Sequence, residues 1–364
     1  MNGKVSSSSF LQTSPSINLL VKLPGGRCNL KCDYCFEHSK TRVGCQPNLF
    51  VAPSLVCATI RKLKAKVNLV LHGGEPLMAP VAVLEDFFSG LTSCSHCIES
   101  VQLQTNGTLL TQRIIDLLWG KLKEWNIEVS ISLDGPDPLN SHRIKDDGTG
   151  TFKSVRDAFR LLEHNGISAG MLSVVHRESL SAFSEYVDFI ESIPNLRFVK
   201  LNPLHAITET GETSKSSISP VEFASFVISV FSRYVEKGLY HRFPIEPCLS
   251  AIQVLSGVNT HFCNYSFRKC TNFVCLYPDG STSLCDSLPF FELSLDSPAI
   301  HPSLHNQFNK LFQQCIDCDI ADFCHGGCLG IRCLFGNSTE HLSNYCQSKR
   351  MLRDFFQSFA APSP

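Results

Sequence analysis

Six apolar, β-branched runs alternate with six amphipathic stretches over the first two thirds of the chain, and that rhythm leaves few folds open. The runs INLLVKL (17–23), VNLVLH (67–72), ESVQLQ (99–104), IEVSISL (127–133), ISAGMLSVV (167–175) and LRFVKL (196–201) read as strands. Residues 53–66, 80–91, 111–125, 151–164, 179–192 and 219–237 read as helices. Continuous apolar strands need cover on both faces, so the sheet is expected to be parallel. Six successive units with short connections predict an α/β fold, a partial (β/α)6 TIM-type barrel rather than an eightfold one. The chain then divides into an N-terminal tail (1–16), a barrel (17–239) and a small cysteine-rich domain (240–364).

Charge removes several functions from consideration. The 32 Lys and Arg residues balance 33 Asp and Glu, so no basic field points to nucleic acid or to an anionic membrane. The N-terminus lacks an apolar core of signal-peptide length, and nowhere do eighteen apolar residues run together. A cytoplasmic protein is expected. In a reducing compartment disulfides are disfavoured, so cysteines clustered at short spacings read as metal or cluster ligands. The chain has eighteen cysteines.

Four motifs fall at the predicted carboxyl ends of successive strands, the end where barrel enzymes build their sites. RCNLKCDYCFEH follows the first strand and carries Cys28, Cys32 and Cys35; HGGEP (72–76) follows the second, QTNGT (104–108) the third and SLDGP (132–136) the fourth. Taken singly, the glycines could serve only as turn residues, and His72 could be a packed or hydrogen-bonded side chain. The cysteine triplet could be part of a zinc site, yet structural zinc takes four protein ligands and this loop supplies three. An iron–sulfur cube accounts for the deficit: three thiolates hold three irons and leave the fourth open to a small molecule.

Cys-x3-Cys-x2-Cys with Tyr34 before the last cysteine, followed by GGEP, resembles the radical S-adenosylmethionine superfamily. The resemblance implies that S-adenosylmethionine chelates the open iron of a 4Fe–4S cluster on Cys28, Cys32 and Cys35. Reductive cleavage would then yield a 5'-deoxyadenosyl radical that abstracts a substrate hydrogen. It further implies that Gly73, Gly74, Glu75 and Pro76 receive the methionyl amino group, and that Ser132 and Asp134 lie near the ribose. Arg143 would pair with the methionyl carboxylate, to which a forked guanidinium is suited, and Tyr34 and Asn106 complete the cofactor-binding set.

Ten of the eighteen cysteines lie between Cys263 and Cys346, where the strand–helix rhythm has stopped. A small region poor in regular core commonly needs metal stapling. Cys270-x9-Gly280-x4-Cys285 contains the hairpin turn YPDGS, and Cys315, Cys318, Cys324 and Cys328 follow at intervening lengths of two, five and three, with Cys346 beyond. Zinc ribbons would use such knuckles too. The double pattern resembles the SPASM extension of radical S-adenosylmethionine enzymes that modify peptides and proteins. That resemblance implies two auxiliary 4Fe–4S clusters, three clusters in all. Cys270, Cys285 and Cys328 with Cys263 would hold the first, and Cys315, Cys318, Cys324 and Cys346 the second. Cys275 reads as a packed thiol, Cys45, Cys57, Cys248 and Cys333 show no partner pattern, and CSHC (94–97) has no second half.

Three functions fit. The leading expectation is a peptide maturase that oxidatively modifies, for example crosslinks, side chains of a ribosomally made precursor. The second is an anaerobic sulfatase maturase forming formylglycine from Ser or Cys, in which Asp286, directly after Cys285, would be the catalytic base. The third is a zinc-stapled binding protein without redox chemistry. The enzyme readings imply a peptide or protein substrate and a low-potential donor such as flavodoxin or ferredoxin. A leader sequence would bind the barrel mouth or a separate leader-recognition protein, and HAITETGETSKSSISP (205–220) could act as a lid or as a linker.

Overall fold

The structure is a computed structural model. It describes residues 16–35, 37, 49–205, 214–260, 262–266, 272–284, 313, 315–328, 331–332 and 339–360. Nine strands form one sheet in the order β7-β6-β5-β4-β3-β2-β1-β8-β9. The strands are β1 (Ser16–Lys22), β2 (Lys66–His72), β3 (Ile98–Thr105), β4 (Glu128–Ser132), β5 (Ala169–Val175), β6 (Leu196–Pro203), β7 (Ile245–Glu246), β8 (Phe273–Leu276) and β9 (Thr282–Ser283). All neighbours are parallel except β8 and β9. The first six are the six predicted strands, and the architecture is the partial (β/α)6 barrel that their rhythm implies.

Helices α1 (Pro53–Leu63), α2 (Val81–Leu91), α3 (Gln112–Ile115), α4 (Phe152–His164), α5 (Phe183–Glu191) and α6 (Pro220–Glu236) follow the six strands in turn. Each lays an apolar stripe on the sheet, as Val155, Ala158, Phe159 and Leu162 do in α4. Local chemistry sets the ends. Ser219 and Glu222 close a reciprocal capping box at the start of α6, and Lys64 ends α1 in the left-handed conformation. The helix predicted over 111–125 is broken. After α3 the chain runs as a π-helical stretch (Asp116–Lys121) and a 3-10 turn (Lys123–Trp125), while Trp119 Nε1 donates to Ile127 O at 2.7 Å.

Beyond α6 the chain adds α7 (Cys248–Leu255) and the long helix α8 (Thr339–Phe356). Helix α8 packs on α6 through an aromatic cluster, with the Phe231 ring centroid 5.0 Å from that of Phe356 and 5.2 Å from that of Phe359. Phe356 is fully buried, which contributes about 1.5–3 kcal/mol relative to exposure. Strand β8 extends the barrel sheet by pairing with β1 from Asn18↔Phe273 to Val21↔Leu276. The YPDGS turn then returns the chain to β9, with Gly280 at φ +82° and Asp279 Oδ1 accepting from Ser281 N at 2.9 Å.

Cys275 is buried between Leu20, Val70 and Tyr277, as a packed thiol should be. Cys57 and Cys94, which showed no partner pattern in sequence, are disulfide-bonded and join α1 to the turn after α2. They stand 37 positions apart, so the pairing depends on how the two helices lie together and not on local spacing. No helix among the described residues is long and apolar enough to cross a membrane.

Candidate active site

The loops after β1 and β2 are fitted to each other at backbone level. Gly74 N donates to Gly25 O at 2.9 Å and Glu75 N to Arg27 O at 2.8 Å, so the GGE segment is laced to the residues that lead into Cys28. This closeness requires glycine. A Cβ on Gly74 would stand 1.9 Å from Arg27 O, and one on Gly73, which lies at φ +121°, would stand 2.7 Å from Gly25 O. Pro76 opens a short 3-10 turn (Pro76–Met78) that Glu75 caps through its side chain.

Glu75 is a buried buttress. Its Oε1 accepts from Leu77 N at 2.9 Å and Thr105 Oγ1 at 2.7 Å, and its Oε2 accepts from Asn106 N at 2.6 Å. Burial pushes its carboxyl up to about 7, against the pull of those three donors. Glu75 thereby fixes the QTNGT loop and with it Asn106. Asn106 Nδ2 donates to Asn29 Oδ1 at 2.9 Å and lies 3.7 Å from Cys28 Sγ.

Cys28, Cys32 and Cys35 lie within one loop, Cys32 buried and the other two half-buried. Burial raises Cys28 to about 12 and Cys32 to about 11, although the Leu30 amide at 3.4 Å from Cys28 Sγ and the Arg143 charge near Cys32 favour the thiolates. Thiolates here call for a cationic partner. Three thiols from one loop fall one ligand short of a closed structural zinc site and match a cluster that leaves one iron open. The donor set fits a 4Fe–4S cluster.

The loop after β4 meets the cysteine loop through Asp134. Arg143 Nε and Nη2 donate to its Oδ2 and Oδ1 at 3.0 and 2.9 Å, Val174 N donates to Oδ1 at 2.9 Å, and Tyr34 Oη donates to Oδ2. The Asp134 side chain is fully buried and both its oxygens are engaged. Arg143, expected beside a methionyl carboxylate, and Asp134, expected near the ribose, thus grip each other in this structure, and the guanidinium lies 5.5 Å from the Tyr34 ring. Ser132 is half-buried at the end of β4. The cysteine loop also bridges the segment before α4, through Lys31 N to Ile144 O at 2.8 Å and the Leu30↔Lys145 bridge.

Two networks at this mouth were not selected from sequence. Lys22 Nζ, fully buried, pairs with Glu37 at 2.7 Å and lies 3.2 Å from His72 Nδ1, tying the end of β1 to the residues after Cys35 and to the start of HGGEP. Motif reading found His72 but not its partners, because Lys22 lies inside an apolar strand. His142 Nδ1 meets Asp33 Oδ2 at 2.7 Å, and His176 Nδ1 meets Glu178 Oε2 at 2.7 Å while its Nε2 faces Leu139 O at 2.9 Å. Burial opposes the charged form of His142, yet Asp33 and Glu178 raise it above the ordinary histidine range.

Of the C-terminal ligand candidates, Cys263, Cys315, Cys318, Cys324, Cys328 and Cys346 lie among the described residues, while Cys270, Cys285 and Asp286 lie outside them. Burial raises the Cys346 thiol, and negative charge on Cys324, Cys315 and Cys318 raises it further, so these four share one neighbourhood. Arg332 Nη1 lies 3.5 Å from Cys315 Sγ, and Arg350 Nη2 lies 3.8 Å from Cys318 Sγ. Cys328 N donates to Tyr345 Oη at 2.8 Å.

Comparison with known proteins gives four results that bear on this site. Residues 23–190 match the Radical SAM superfamily. The cysteine-type anaerobic sulfatase-maturating enzyme of Clostridium perfringens is 26% identical over 371 residues, covering 94% of this chain and 96% of that one. The serine-type anaerobic sulfatase-maturating enzyme of Bacteroides thetaiotaomicron is 22% identical over 350 residues, covering 85% and 82%. Among solved structures, native anSMEcpe with bound AdoMet and Cp18Cys peptide superposes with a TM-score of 0.76 at 23% identity, covering 94% of this chain and 96% of that one, which establishes a shared fold.

Proposed function

The chain carries a radical SAM domain over residues 23–190, and from that premise we propose that it is a maturase oxidising a Ser or Cys side chain of a protein or peptide substrate to formylglycine. The observation that carries this reading is the end-to-end likeness to a cysteine-type sulfatase-maturating enzyme, which spans 94% of the chain and so includes the cysteine-rich third. Crosslinking of a ribosomal precursor, the leading expectation from the barrel motifs, has less support, because the two relatives described above, which cover 94% and 85% of the chain, carry the sulfatase-maturating name. The Radical SAM match over residues 23–190 speaks against a zinc-stapled binding protein without redox chemistry.

When bound, a 4Fe–4S cluster on Cys28, Cys32 and Cys35 with S-adenosylmethionine at its open iron supplies a low-potential electron and hydrogen-atom abstraction. The chain's own residues then have distinct tasks. Gly73 and Gly74 keep the cysteine loop against the end of β2, and Glu75 holds Asn106 beside Cys28. Asp134 holds Arg143 and Tyr34 at the other side of the loop. From Ser, formylglycine formation removes one hydrogen atom from the substrate Cβ, then one electron and one proton; from Cys the same losses give a thioaldehyde, which water hydrolyses to the aldehyde with release of hydrogen sulfide. Asp286 is the proposed proton acceptor, from its place directly after Cys285. Two auxiliary 4Fe–4S clusters, on Cys263, Cys270, Cys285 and Cys328 and on Cys315, Cys318, Cys324 and Cys346, would take the electron. In this reading residues 17–239 form the catalytic barrel and 240–364 the auxiliary-cluster domain. A flavodoxin or ferredoxin supplies the reducing electron.

The test is anaerobic turnover of a Cys-containing and a Ser-containing sulfatase peptide with S-adenosylmethionine and dithionite, read by mass spectrometry for the aldehyde. Asp286→Asn is expected to keep 5'-deoxyadenosine formation and to lose the aldehyde. Full turnover by that variant would remove Asp286 as the base, and no aldehyde from the wild type on either peptide would remove the formylglycine reading.

A further inference from the structure

Lys349 is a cation in a place that needs explaining. It lies on α8, three residues beyond Cys346 and so on the same helix face, and it is only 6% exposed. Its Nζ stands 4.2 Å from the Tyr265 ring centroid and 5.6 Å from that of Tyr345. Both tyrosines are buried, and each is tied to the cysteine-rich segment: Tyr345 Oη accepts from Cys328 N at 2.8 Å, and Tyr265 O faces His325 Nδ1 at 2.7 Å. Among the described residues no carboxylate pairs with Lys349. Burial disfavours its charged form, and what favours it is negative charge on Cys324, Cys328 and Cys263.

A buried ammonium is costly unless something compensates its charge. Two aromatic faces hold such a cation in position without neutralising it, so its full charge remains available to the sulfurs around it. Those sulfurs come from both proposed auxiliary sets, Cys328 and Cys263 from the first and Cys324 from the second. Arg332 and Arg350, by contrast, approach Cys315 and Cys318 and so bear on the second set alone.

We infer that Lys349 is the shared counter-cation of the two auxiliary clusters, a positioning residue that raises the reduction potential of both. The inference rests on the proposed loading of the C-terminal cysteines with 4Fe–4S clusters. Net charge near a cluster is one of the main determinants of its potential, since reduction adds a negative charge that a fixed cation stabilises. Lys349 thereby makes each auxiliary cluster a better electron acceptor than its thiolates alone would allow.

The experiment is a redox titration, followed by electron paramagnetic resonance, of the anaerobically reconstituted full-length chain as wild type, Lys349→Met and Lys349→Arg, with iron and sulfide counted in each. The expected result for Lys349→Met is a tenfold or greater fall in the reduced-to-oxidised ratio of both auxiliary clusters at fixed potential, about 59 mV for one electron. The cluster on Cys28, Cys32 and Cys35 should be unmoved, and Lys349→Arg should keep wild-type behaviour. If Lys349→Met loses its auxiliary iron while Lys349→Arg retains iron and potentials, the need for a cation is likewise supported. Unchanged auxiliary potentials in a fully loaded Lys349→Met protein would overturn the inference, as would loss of iron or potential in both variants, which would make Lys349 a packing residue. Wild-type protein with only one cluster's iron and sulfide would instead sink the cluster assignment on which the inference stands.

Discussion

Arg143 holds both carboxylate oxygens of Asp134, Nε to Oδ2 at 3.0 Å and Nη2 to Oδ1 at 2.9 Å, with both side chains buried. Nine residues apart in sequence, the two join the loop after β4 to the segment before α4, and Tyr34 brings the cysteine loop to the same carboxylate. The pair therefore fastens three loops together, and its loss should be felt as instability before it is felt as chemistry.

Removing one partner of a buried pair strands the other. Arg143→Ala is expected to cost about 3–5 kcal/mol, measured by urea unfolding with Trp119 and Trp125 fluorescence. The Arg143→Ala, Asp134→Ala double variant should cost less than the sum of the singles, with a coupling of about 1–3 kcal/mol. Strict additivity would mean that the two side chains do not act as a unit.

Gly74→Ala should dismantle the cysteine-loop site selectively, because its new Cβ would meet Arg27 O at 1.9 Å and neither backbone segment can yield without moving Cys28. The variant should bind about four irons fewer than the wild type after reconstitution and make no 5'-deoxyadenosine. Gly120→Ala is the control, since a Cβ there meets nothing within 4 Å. It should be neutral or stabilising by up to about 1 kcal/mol, and retention of full iron by Gly74→Ala would show that the loop contact is dispensable.

Glu75 should leave a mark on the pH dependence of stability. Burial raises its folded-state value from 4.5 to about 7, so between those values the folded chain holds a proton that the unfolded chain releases. Stability from this group falls as pH rises through that window and is level above it, a change of about 3 kcal/mol in all. Glu75→Gln removes the titration and also sets an amide N–H against one of the three donors. The wild-type-minus-variant unfolding free energy, measured from pH 4.5 to 8, should therefore decline across the window; a flat difference would contradict the buried carboxyl.

Much of the fold could be read from the chain, for a physical reason: strands covered on both faces by helices must be apolar throughout, and INLLVKL or VNLVLH can hardly be anything else. The loops after those strands followed from the same reading, as did the turn at Gly280. What escaped depends on distance along the chain. The pairing of β8 with β1 joins residues 255 positions apart, as in Asn18↔Phe273, and four-residue strands give little periodicity. The fork of Arg143 on Asp134, the Lys22–Glu37 pair and the Cys57–Cys94 disulfide are likewise tertiary. The break after α3 had a local hint in Gly120, a poor helix former, within an otherwise helical pattern.

The most direct test of the central claim is anaerobic reconstitution with iron and sulfide, followed by metal and labile-sulfide counting and a dithionite-driven assay for 5'-deoxyadenosine, comparing the wild type with a Cys28→Ala, Cys32→Ala, Cys35→Ala variant. Three clusters are expected in the wild type, two in the variant, and 5'-deoxyadenosine from the wild type alone. Zinc without sulfide, and no cleavage of S-adenosylmethionine by either protein, would contradict that claim.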